Sequence, residues 1–240
     1  MLTPPWSIVE VIFLAAVTLI ATFLFQFAAV GVALHYHPKA RLEDLAKNAK
    51  VIVPSQFIAY LVVLLVMAML LRSRGLHFWR NVNWTWPRFL AAFLFGGFVL
   101  AIAIQLLGVF LPIPKQLPID DFFADTAGTY LLALFGVTMA PLVEELLFRG
   151  FMYPAFARYI GVGGSVIVTS ILFTAIHAPQ LARAWAPLVL LFVVALTLTI
   201  TRVRTGSVAA SFLVHVGYNF TLFAFLFFST DHFRHLEKMR

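Results

Sequence analysis

The chain has 240 residues, of which 62% are hydrophobic and 11% charged, with no cysteine and a formal net charge of +7. Soluble domains run at about 45–50% apolar and about 25% charged residues, so this composition excludes an ordinary water-soluble fold. The missing cysteine excludes disulfides, thiolate metal centres and a cysteine nucleophile.

A spanning helix needs about 20 apolar residues. Runs of that kind cover 8–34, 51–71, 89–111, 129–157, 165–182, 185–201 and 207–229. The expected fold is an all-α, polytopic transmembrane helical bundle of about seven to eight membrane helices, forming a single integral membrane domain over residues 1–240. The first run has no Lys or Arg before it and is too long for a cleavable signal, so it reads as a retained helix. Residues 36–50 mix charge with apolar spacing, like a short helix in the interface. Residues 72–88 carry Arg72, Arg74, Arg80 and Arg88 with Trp79, Trp84 and Trp86 and no acid, the composition of a cytoplasmic interface. Residues 112–128 carry Asp120, Asp121 and Asp125 against Lys115 and are assigned to the opposite side. Gly161, Gly163 and Gly164 make a turn between helices. The basic residues stand singly or in pairs at the ends of apolar runs, with no stripe of interleaved aromatics. Membrane lipids are therefore the expected partner, and nucleic acid is not.

The informative residues are those that do not belong in lipid. An ionisable group at mid-bilayer costs at least about 2.5–3.5 kcal/mol, so it persists only where it faces a protein interior and has partners. The fourth run contains Glu144-Glu145-Leu146-Leu147-Phe148-Arg149. Positions four apart share a helix face, so Glu145 pairs with Arg149 and Glu144 points elsewhere. A buried structural ion pair accounts for Glu145 and Arg149 but not for the second carboxylate. Held in low dielectric without a matched cation, that carboxylate suits a group that takes up and returns a proton near neutral pH. The fifth run carries Ser170, Thr174 and His177 as one polar stripe, and the seventh carries Ser207, Ser211, His215 and Asn219, each four residues after the last. Alone, each stripe is as well explained by interhelical hydrogen bonding. Tyr218 adjoins the second stripe. His35, His37, His77, His232 and His235 fall at run ends or in loops and read as solvated or interfacial.

Together these groups compose a peptide-hydrolysing site. Glu144 with His177 would activate a water and return its proton to the leaving amine, while His215 with Asn219 would donate hydrogen bonds to the oxyanion. Alternatively, Glu144, His177 and His215 would ligate a divalent metal, zinc in the first instance, that generates the hydroxide. The signatures of other intramembrane chemistries are missing: there is no His-Glu-x-x-His, no Gly-x-Gly-Asp and no Gly-x-Ser-Gly.

Glu144-Glu145-x-x-x-Arg149, Phe173-x-x-x-His177 and His215-x-x-x-Asn219, in that order and each in an apolar run, resemble the three signature motifs of the CPBP family. These are the CAAX-protease and bacteriocin-processing (Abi) intramembrane proteases, which include the type II CAAX prenyl endopeptidases. The resemblance covers about residues 129–229 with no departure at the motif positions; the first three helices match only in being hydrophobic. It implies a helical membrane endopeptidase in which Glu144 and His177 activate water, His215 and Asn219 form the oxyanion site, and Glu145, Arg149 and Phe173 support them. Family names often say metalloprotease, yet the best-understood branch resembles a glutamate-dependent enzyme, so a mechanism with no cofactor is preferred over zinc. The expected substrate is a peptide or protein, either prenylated or a leader peptide, at a prokaryotic plasma membrane. Two non-proteolytic readings compete: a membrane immunity or scaffold protein of the same family, and a haem-binding or proton-conducting bundle built on His177 and His215.

Overall fold

The computed structural model describes residues 4–239. Among them the helices are α1 (Ile8–Tyr36), α2 (Leu42–Ala46), α3 (Ala49–Arg72), α4 (Phe78–Asn81), α5 (Leu90–Gly108), α6 (Thr126–Val137), α7 (Met139–Glu145), α8 (Tyr153–His177), α9 (Trp185–Thr205) and α10 (Val208–Ser229). A π-helical segment, Leu146–Met152, joins α7 to α8, and no strand occurs among the described residues.

Six stretches are long and apolar enough to cross a membrane, and the fourth of them, Thr126–Leu181, is 56 residues long. That stretch is not one rod. Gly161 leaves the helical region at φ 71°, ψ 173°. Beyond it the chain doubles back, because the Ser165 hydroxyl donates to the Tyr153 carbonyl at 2.6 Å. Twelve residues of straight helix would separate those groups by about 18 Å. The stretch therefore makes two passes, and six stretches with one folded in two give seven passes, in the expected order. The expected single helix over 129–157 is more broken than its apolar run implies: Thr138 interrupts it at φ −115°, ψ −75°, and the π-helical turns follow.

The connections group at two ends of the bundle as their composition predicts. At one end Arg74 pairs with Glu10, and the Ser207 hydroxyl donates to the Thr85 carbonyl. At the other, Lys47 pairs with Asp121 at 3.1 Å, Lys50 with Asp125 at 2.8 Å, and the Thr126 hydroxyl donates to the Phe233 carbonyl. Asp125 caps α6, accepting from the Gly128 N–H at 3.0 Å. The Lys50 ammonium, and then that backbone N–H, hold its carboxyl below the usual carboxylate range. Its contribution to stability is therefore present above the ordinary aspartate pKa and fades as pH falls through the depressed value. Asp125→Ala is expected to cost about 1 kcal/mol at neutral pH and less in acid, read from denaturation in detergent at both pH values.

Large apolar side chains face outward, among them Phe23 at 75% and Phe228 at 76% exposure, as a lipid solvent requires. The interior holds two apolar clusters. One gathers Trp6, Leu14, Met67, Phe148, Phe151 and Phe173; the other gathers Ile104, Leu190, Val194, Leu198 and Val214. From Glu145 to Tyr153 every residue is buried, so this part of the chain is a central helix enclosed on all sides.

Helices α5 and α10 meet at glycines. A Cβ on Gly97 would lie 2.2 Å from the Val214 carbonyl oxygen, and one on Gly217 would lie 2.2 Å from the Leu94 carbonyl oxygen. Both obstacles are backbone, so the helices themselves must part if either glycine gains a side chain. Gly217→Ala is expected to destabilise the bundle by about 1–3 kcal/mol or more, read as a lower melting temperature in detergent.

Candidate intramembrane active site

The central helix carries both carboxylates. Glu145 closes α7 and is fully buried, and its Oε1 accepts from Arg149 at 2.8 Å and lies 3.0 Å from His215 Nδ1. Arg149, also fully buried, donates through Nε to the Thr199 hydroxyl at 3.3 Å and through Nη2 to the Ala195 carbonyl at 3.0 Å. Its guanidinium lies 4.6 Å from the centroid of the Phe173 ring. A buried cation needs both a counter-charge and satisfied donors, and Arg149 has both. The ion pair read from the four-residue spacing is thus present, and its second end is fastened to α9.

Glu144 turns away from this pair. Its Oε1 lies 3.9 Å from His177 Nε2, and its Oε2 lies 3.8 Å from His215 Nε2. Both separations exceed a hydrogen bond but suit a bridging water, which sits about 2.8 Å from each partner. The Glu144 side chain is 13% exposed and that of His177 20%. The two histidines are oriented from behind. His177 Nδ1 lies 2.8 Å from the Phe173 carbonyl, and since a carbonyl only accepts, Nδ1 carries the hydrogen and the Nε2 lone pair faces Glu144. His215 Nδ1 likewise faces the Glu145 carboxylate, which leaves Nε2 toward Glu144. Phe173 packs on both, with ring centroids 4.7 Å from His177 and 6.0 Å from His215.

Six of the seven residues singled out from sequence therefore converge: Glu144, Glu145, Arg149, Phe173, His177 and His215. Asn219 is placed differently. One turn along α10 from His215, it donates to the Gly136 carbonyl at 2.7 Å and so ties α10 to the end of α6. The hydroxyls of Ser170, Thr174 and Ser211 donate to carbonyls of their own helices. Tyr218 packs against the Ile104–Leu190–Val214 cluster. Thr199 and the Ala195 carbonyl were not legible as partners of Arg149, because a threonine in an apolar run usually satisfies itself within its helix. Thr199 does so as well, donating to the Ala195 carbonyl at 2.8 Å. Tyr60 of α3 was also missed; it stacks on Phe135 at 5.6 Å and lies within electrostatic reach of Glu144.

Two imidazoles and a carboxylate are a donor set that zinc accepts. Among the described residues no group of three His, Asp or Glu side chains is placed to hold a metal ion. With His215 Nδ1 facing Glu145, three donors face the gap: the Glu144 carboxylate, His177 Nε2 at 3.9 Å from it and His215 Nε2 at 3.8 Å.

The three motifs lie within a segment that is similar to a known family. Residues 126–221, which contain all three motifs, match the family described as type II CAAX prenyl endopeptidase Rce1-like. The match begins at the first residue of α6 and ends within α10, so the matched segment is the part of the bundle that bears the site. The chain is also 33% identical over 122 residues to an uncharacterised 24.3 kDa protein of Escherichia coli, an overlap covering 49% of this chain and 55% of that protein. The chain thus spans about half the length of the curated relative it matches. No solved structure matches it.

Proposed function

We propose that the chain is an intramembrane endopeptidase in which Glu144 and His177 activate a water held between them. The observation that carries this reading is the pair of acceptors, Glu144 Oε1 and His177 Nε2, 3.9 Å apart, a separation that one water about 2.8 Å from each can bridge. A water there donates one hydrogen to each and keeps a lone pair for the scissile carbonyl. As its oxygen bonds to that carbon, one proton passes to Glu144 and later moves to the leaving amine when the C–N bond breaks.

His215 has a defined place in this scheme. With Nδ1–H donating to Glu145, its Nε2 donates to an oxyanion only as the imidazolium. Glu145 orients that ring directly, at 3.0 Å from Nδ1. Asn219, one turn from His215, steadies α10 through its bond to the Gly136 carbonyl. In this reading Glu144 and His177 activate the water themselves, and no metal is invoked. The substrate is a membrane-associated peptide or protein, and the membrane is a prokaryotic plasma membrane, in line with the prokaryotic source of the Escherichia coli relative.

The test is cleavage of two peptide sets, one of prenylated C-terminal tails and one of leader peptides, by purified protein and by His177→Ala. Cleavage of either set by the wild type and of neither by the variant supports the reading and names the substrate class. Equal cleavage by both proteins removes His177 from the mechanism.

A further inference from the structure

A second polar site lies away from the carboxylates, at the end of the bundle that carries Arg74, Trp84 and Trp86. A cleft of about 610 Å³ opens there between the two arms that meet at Gly161 and the end of α9. Its lining includes Asn83, Tyr153, Arg158, Arg202, Arg204 and Gly206. Arg202 is only 6% exposed, and its Nε–H has no hydrogen-bond partner among the described residues. Among those residues no carboxylate pairs with Arg158, Arg202 or Arg204, whereas Arg74 at the same end has Glu10 and the buried Arg149 has Glu145. The guanidiniums of Arg158 and Arg202 each lie 5.8 Å from a ring centroid, those of Tyr159 and Tyr153 respectively.

A buried guanidinium with an idle donor is a costly arrangement unless an anion completes it. The anion's class follows from the cleft's position. Arg204 and Gly206 close α9, Arg158 precedes the Gly161 turn, and Trp84 and Trp86 belong to the connection at the same end, so the cleft sits at headgroup depth. Three arginines with no acid match the phosphate of a lipid headgroup, which guanidinium forks bind in paired hydrogen bonds.

We propose that this cleft binds the phosphate headgroup of an anionic phospholipid and that occupancy clamps α8 to α9. The cleft wall is continuous with the catalytic support. Tyr153 lies four residues beyond Arg149, and Arg202 three beyond Thr199, the hydroxyl to which Arg149 donates. A headgroup bridging Arg158, Arg202 and Arg204 therefore holds together the two helices that position Arg149, Glu145 and His215. The lipid site does not depend on the protease reading, because it is detected by binding.

The experiment places the whole chain in phosphatidylcholine vesicles with increasing phosphatidylglycerol and follows the melting temperature, with retained lipid counted by native mass spectrometry. Wild type is expected to show saturable stabilisation and one retained phosphatidylglycerol. Arg158→Gln and Arg204→Gln, both outside the buried core, are each expected to raise the half-saturating lipid fraction about fivefold. Arg202→Gln is expected to abolish the retained lipid. Arg88→Gln, at the same end but outside the cleft, is expected to behave as wild type. Equal losses in Arg88→Gln and the cleft variants would show diffuse surface attraction and overturn the proposal. The same saturable stabilisation by inorganic phosphate in pure phosphatidylcholine would make the ligand a free phosphate and overturn the lipid assignment.

Discussion

Glu144→Gln is expected to lower the turnover of any cleaved peptide by at least about 10²–10⁴-fold, the usual range for losing a general acid–base group. It is expected to leave the melting temperature close to that of the wild type. The argument rests on how the two neighbouring carboxylates are partnered. Glu144 makes no hydrogen bond to Arg149; its neighbours are two imidazole nitrogens at 3.8 and 3.9 Å. An amide of the same shape still fits there and leaves no buried cation exposed. It cannot take a proton from water, so the loss falls on the chemical step and appears in kcat more than in KM. A variant that lost stability and activity together would assign Glu144 to the structural framework instead.

The largest effect on stability is expected at Arg149. Removing one partner of a buried ion pair costs about 3–5 kcal/mol, because the other charge is left uncompensated. Arg149→Ala strands the Glu145 carboxylate at 0% exposure, and it also frees the Thr199 hydroxyl and the Ala195 carbonyl from their bonds to α9's partner helix. The guanidinium packed at 4.6 Å on Phe173 is lost with it, and Phe173 is the ring that seats both histidines. Thermal unfolding in detergent should show a large drop in melting temperature, with activity falling in the surviving fraction. Arg149→Lys should recover only part of the loss, since an ammonium keeps the charge for Glu145 but not the planar fork that reaches Glu145 and Ala195 together. A melting temperature unchanged by Arg149→Ala would mean that the pair is not buried as described.

The contrast between these two variants explains which features were legible in the sequence. Hydropathy located the passes, because a bilayer demands long apolar runs and the loops alternate in composition. Helical spacing was enough for Glu145 with Arg149, since the pair is local. Bringing Glu144, His177 and His215 together from three passes was legible only through the family motifs; no single periodicity contains it. The breaks were not legible. Thr138 is an ordinary residue in an apolar run, and the π-helical turns over Leu146–Met152 arise where the chain fits Arg149 between α9 and Phe173 before Pro154, which cannot donate to the turn behind it. Asn219 was expected to aim at the same point as His215. Its bond to Gly136 depends on where α6 ends, which is set by the Thr138 break.

The central claim, that a glutamate rather than a metal activates the water, is tested most directly by one cleavage assay on the purified protein. Wild type and Glu144→Gln are each run with and without a strong divalent chelator, and zinc is then added back. Wild-type cleavage is expected to survive chelation, and Glu144→Gln is expected to stay at its residual rate in every condition. Cleavage by wild type that disappears on chelation and returns with zinc would contradict that claim and make Glu144, His177 and His215 ligands.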